Sequence, residues 1–188
     1  MSDLIPLTGE PLALDLVNTR PYDADLLGSP AELRTWLELE ADRLPDPAAH
    51  ETAGLTVADV AAVHAVRDGA GLAIGHARRG ERPPASALEA LNDAQRAAPA
   101  IRELAWDGSS IIAARRRSGT AGVRLAAWLA EAAADLIADP QVTKVRECEA
   151  EDCVLLFLPA HPRRRWCSAA RCGNRARVAR HYQRHRPA

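Results

Sequence analysis

The chain has 188 residues, 47% of them hydrophobic and 26% charged, which excludes wholesale disorder and allows a sizeable core. Its formal net charge of −1 conceals a division: Cys153 to Ala188 holds nine arginines and no carboxylate, leaving all 25 Asp and Glu in the preceding part. That asymmetry predicts an acidic body and a basic head that meets something anionic. No run of about 18 apolar residues exists, and the N-terminus lacks the basic-then-apolar pattern of a secretory leader, so a cytoplasmic protein is expected.

Along the chain, PLALDLVNTR (11–20) alternates and reads as a short strand or extended entry. A helix follows from Ser29, with Ser29 as N-cap, Pro30 at the first helical position and Glu32 completing a capping box. Pro45 and Pro47 stop it. A longer helix spans Thr56 to about Arg79, with Gly69, Gly71 and Gly75 predicting a kink. A third, ASALEALNDAQRAA, ends before Pro99. Two strand-like stretches flank Asp107-Gly108 and predict a β-hairpin. The most strongly patterned helix lies between Gly119 and Pro140, after which QVTKVREC reads as a strand. Trp36, Trp106 and Trp128 are assigned to the core, and His64 is read as a satisfied core histidine.

All four cysteines fall in one window: Cys148, Cys153, Cys167 and Cys172, a C-x4-C pair, thirteen residues, then a second C-x4-C pair. Two close pairs separated by a loop can supply the tetrahedral sulfur set of a structural Zn²⁺. Buried core cysteines, disulfides and a lone catalytic thiol fit the clustering less well. The intervening VLLFLPAHPRRRW is expected to form a hairpin between the pairs, and the chain after the second pair a helix, as in a treble-clef zinc finger.

The run Arg165-Trp166-Cys167-Ser168 with Cys172-Gly173-Asn174-Arg175 resembles the C-terminal CGNR zinc finger. GEPLALDLVNT (9–19) and SPAELRTWL resemble the start of the ABATE domain that accompanies it. The resemblance spans nearly the whole chain, although Pro159-Ala160-His161-Pro162 replaces the polar segment usual in that finger. It implies a candidate stress-induced transcription regulator with an N-terminal small-molecule sensor. Asp15, Asn18 and Thr19 would then be the polar residues at the effector pocket.

The arginines point to nucleic acid. Arg163, Arg164 and Arg165 cluster on the expected hairpin. Arg177, Arg180 and Arg184 fall on one face of the final helix, with Val178 and Tyr182 turned inward. Such a stripe suits phosphates. Docking on the acidic body is the competing use, and Arg175 has a second use beside the metal. The body shows no phosphate loop, dinucleotide fingerprint or nucleophile–base set, so no enzymatic activity is assigned.

The expected architecture is α+β. A mainly helical sensor domain with a small hairpin (1–142) precedes a basic treble-clef-like zinc finger (143–188). The expected function is a DNA-binding transcription regulator, in a possible homodimer. An enzyme with a structural finger, or a protein- or RNA-binding module, is the rival.

Overall fold

A computed structural model of the chain describes residues 5–22, 24–44 and 54–178. The body is built on three helices: α3 (Val57–Ala77) packs on α4 (Ala85–Ala97) and α5 (Ala121–Ala138), and those two pack on each other. The short helix α1 (Leu12–Val17) seals this core against α5 and α3, while α2 (Pro30–Leu39) leans on α3. Leu14, Leu16, Leu33, Trp36, Val63, Ile74 and Leu129 are completely buried in one continuous cluster.

Local chemistry sets the ends of these helices. At α2 the Ser29 hydroxyl accepts the Glu32 N–H, as the expected N-cap, and donates to the Glu32 carboxylate, with Pro30 at the first position. At α3 the box is complete: the Asp59 N–H donates to Thr56 Oγ1 and the Asp59 carboxylate accepts the Thr56 N–H. α3 runs unbroken through its glycines, two of which lie close to neighbouring elements. A Cβ at Gly69 would sit 3.3 Å from the Ala87 carbonyl of α4, and one at Gly71 would touch Val17 of α1.

The segment expected as a strand is helix α1. Its period-2 look came from six residues, too few to distinguish from a helix buried on nearly every side. The hairpin forms as expected from β1 (Ile101–Trp106) and β2 (Ile111–Arg116), antiparallel with Ile101 opposite Arg116 and Trp106 opposite Ile111. Asp107 ties its loop by accepting the N–H groups of Ser109 and Ser110. Trp106, assigned above to the core, is 67% exposed, since this hairpin stands away from the body. His64 is satisfied, donating from Nε2 to the Leu27 carbonyl at 2.9 Å.

After α5 the chain turns through a short 3₁₀ segment, Pro140–Lys144, where a strand was expected. The strand narrows to β3 (Arg146–Glu147), paired antiparallel with β4 (Leu156–Phe157). This pairing encloses the first cysteine pair instead of lying between the two pairs. Proline-rich 159–162 supplies no returning ladder. A wide helical turn, Ala169–Gly173, capped by Ser168, follows Cys167, carries Cys172 and runs into helix through 174–178.

Candidate metal centre and basic face

The four cysteines converge. Cys148 and Cys153 flank a tight turn through Glu151 and Asp152, closed by the Cys148 N–H on the Leu155 carbonyl. Cys167 precedes the Ser168 cap and Cys172 lies one turn on. One sulfur from each lies within 4.8 Å of all the others. Sulfurs placed about 2.3 Å from one ion in a tetrahedron are about 3.8 Å apart. Cys153 and Cys167 are 3.9 Å apart and Cys167 and Cys172 3.6 Å, close to that spacing.

The surroundings set how readily each sulfur gives up its proton. Burial pushes the metal-free Cys153 thiol up to about 11, and burial with three neighbouring sulfurs pushes Cys167 higher still. Burial also raises Cys148, but N–H groups of Cys167 and Ala150 directed at its sulfur outweigh this and bring it below the ordinary thiol value. A divalent cation supplies the positive charge that four crowded sulfurs lack. Arg175 adds to it, reaching the Cys172 sulfur at 3.7 Å while donating to the Glu151 carbonyl at 2.8 Å. A second small core of Leu155, Phe157, Ala150 and the cysteines, with Leu7 of the body against it, surrounds the site.

The arginines divide by environment. Arg164 is drawn inward. It donates to the carboxylate of Glu10 and to the carbonyls of Trp166 and Cys167, and lies 4.5 Å from the centroid of the Phe157 ring. Arg165 pairs with Glu149 and lies over Trp166. Arg163 and Arg177 are exposed and have no carboxylate partner among the described residues, Arg177 donating to Asn174 Oδ1. Val178, expected to turn inward, is exposed. Arg180, Arg184 and Tyr182 lie outside the described residues.

The body meets the head through the segment 9–19. Asn18 Nδ2 donates to the Leu156 carbonyl and Asn18 Oδ1 accepts the Leu156 N–H, both at 2.8 Å, so one amide holds the edge of strand β4 by two bonds. Glu10 accepts the Leu158 N–H at 2.8 Å and holds Arg164. Asp15, fully buried, accepts the N–H groups of Gly9 and Glu10 and the guanidinium of Arg43 at 2.6 Å. Arg43 in turn donates to the Glu10 carbonyl. Burial pushes the Asp15 carboxyl up to about 7 and also raises Glu40, which accepts from the same Arg43 nitrogen.

Residues 10–140 match the ABATE family, described as "Putative stress-induced transcription regulator", and residues 144–185 match the CGNR zinc finger. The chain belongs to the ABATE family. No curated protein matches it. In this ABATE protein the finger's family and the four-cysteine cluster together establish zinc as the bound metal.

The effector residues expected from the resemblance have other work here. Both oxygens of Asp15 and both amide atoms of Asn18 are engaged within the protein, and Thr19 Oγ1 donates to the Leu16 carbonyl while accepting from Arg67. Asn18 joins body to head, while Asp15 and Thr19 bond within the body. The residue missed in the sequence is Glu10. As one of 25 carboxylates it carries no spacing signal; only the charge division hinted that an acidic side chain of the body would meet a head arginine. Among the described residues no helix is long and apolar enough to cross a membrane.

Proposed function

We propose that this ABATE protein is a DNA-binding transcription regulator, cytoplasmic, in which zinc held by Cys148, Cys153, Cys167 and Cys172 presents a basic face to the phosphate backbone. The body, residues 1–142, acts as the regulatory partner of the head, 143–188. The observation that carries the reading is the pair Arg163 and Arg177, exposed on the zinc head without a carboxylate partner among the described residues. Arginines without a carboxylate partner on a metal-fixed surface suit phosphate oxygens, whereas those paired with Glu10 and Glu149 serve the fold. Arg175 belongs to both uses, and Arg180 and Arg184 extend the same basic sequence. A closed four-thiolate site leaves zinc no open position for a substrate, consistent with regulation rather than catalysis.

Fluorescence anisotropy of the zinc-loaded full chain with duplex DNA tests this. Binding should weaken linearly in log salt, and the double variant R163E/R177E should bind more weakly and with a shallower salt slope. Absence of DNA binding at low salt rejects the reading. Tighter binding to RNA or to an acidic peptide than to duplex DNA at equal salt rejects it in favour of another partner.

A further inference from the structure

The hairpin of β1 and β2 is the least explained part of the body. Every residue of β1 is exposed, and on its two strands Leu104, Trp106 and Ile111 are 76%, 67% and 71% exposed. A two-stranded ribbon with both faces in water is marginal by itself, and three large apolar side chains side by side on a surface mark a contact site. The two edges are not equivalent. β2 is tied to the body, since Arg115 and the adjoining Arg117 both pair with Glu131 of α5. No strand pairs with β1 on its other edge among the described residues, which leaves a template for another strand.

The outer strand is self-complementary. Alternate residues share one face, so Arg102, Leu104 and Trp106 form a row with a cation at one end, an apolar centre and an indole at the other. When such a row meets a copy of itself antiparallel about Leu104, Leu104 lies opposite Leu104, and each Arg102 lies opposite a Trp106. The first is an apolar cross-strand pair and the second a cation–π pair, both favourable neighbours across a sheet. Moving the centre by one residue to Glu103 sets two like carboxylates against each other, which opposes that register.

We propose that β1 pairs with β1 of a second copy of this chain, antiparallel about Leu104, forming a four-stranded sheet in the order β2-β1-β1-β2 across a two-fold axis. The homodimer expected from the sequence thereby gains a defined surface. It stands independently of the DNA-binding reading, because it rests on the body alone. A six-residue edge is a small interface, near or below the lower bound of roughly 1,200 Å² for stable complexes, so a reversible dimer is expected rather than an obligate one.

Sedimentation velocity of the zinc-loaded full chain over a wide concentration series is the test. Wild type should shift from monomer to dimer as concentration rises. Leu104→Glu, which places two carboxylates opposite each other on an already exposed site, should remain monomeric at every concentration. Its helical circular dichroism and zinc content should match wild type. Leu104→Cys should form an intermolecular disulfide under mild oxidation much faster than Ile101→Cys, because only residue 104 faces itself in this register. A wild type that stays monomeric, a Leu104→Glu variant that still dimerises, or equal cross-linking at both positions overturns the proposal.

Discussion

One amide, Asn18, gives the clearest link between a sequence motif and the architecture. Its two hydrogen bonds satisfy both the N–H and the C=O of Leu156, a buried residue of the strand that follows the first cysteine pair. Asn18→Ala removes both partners and leaves two buried backbone groups unpaired, at a cost of about 1–3 kcal/mol for each group that water does not reach. The expected outcome is a lower denaturant midpoint and faster loss of zinc to a chelator, read by a colorimetric zinc indicator; unchanged zinc release would show that the clasp does not support the finger. Asp15 carries a second prediction, one of pH. Burial raises its carboxyl from 3.8 to about 7, so the folded state holds the proton more tightly than the unfolded chain. Its contribution is therefore fully present below about pH 4 and is lost as pH rises toward and through 7. Arg43 and Glu40 face it and set how much is lost. Melting temperature should accordingly fall across that window in wild type and fall less in Asp15→Asn. The four-cysteine cluster was legible because four like residues in two equal spacings leave few other meanings. The clasp was not, because nothing in LDLVN states that the segment closing the body core also binds a strand 138 residues away.

Among the elements, the packing of α5 on the start of α3 admits the least change. A Cβ on Gly122 would lie 1.9 Å from Asp59 Oδ1 and 2.5 Å from Asp59 Cβ, and Asp59 is the residue that completes the capping box of α3 with Thr56. Because the clash reaches the Asp59 Cβ as well as its tip, rotation of the side chain does not relieve it. Gly122→Ala must displace the helix start or break the cap, and is expected to destabilise by about 1–3 kcal/mol even though alanine is the better helix former. A thermal melt equal to wild type would contradict this. The helices with capping residues and long periodic faces were readable for the same reason that their ends are fixed: Ser29 announces its cap in sequence and performs it in space. The errors fell where elements are short. Six residues of α1 and two residues each of β3 and β4 carry too little pattern, and their form comes from the neighbours they pack against.

At the scale of the whole molecule, the body and head are joined by hydrogen bonds that depend on metal geometry. The strand that Asn18 and Glu10 hold lies between Cys153 and Cys167, so zinc fixes the spacing of the residues that the body grips. The small core around the cysteines contains few large apolar side chains, Leu155 and Phe157 foremost, and a core of that size does not hold a fold without a staple. The body core, by contrast, is a continuous cluster through α1, α3 and α5 with its own capped helices. Zinc removal should therefore act unequally. Hydrogen exchange after chelation is expected to show loss of protection across 144–178, with retained protection in α3, α4 and α5. A smaller loss should appear over 9–19, where Asp15 keeps its partners within the body but Asn18 and Glu10 lose theirs. Readdition of one equivalent of zinc should restore the pattern. Uniform loss in all five helices would mean that body and head unfold as one unit. Full protection of the head without metal would mean that the clasp, not zinc, sets its structure.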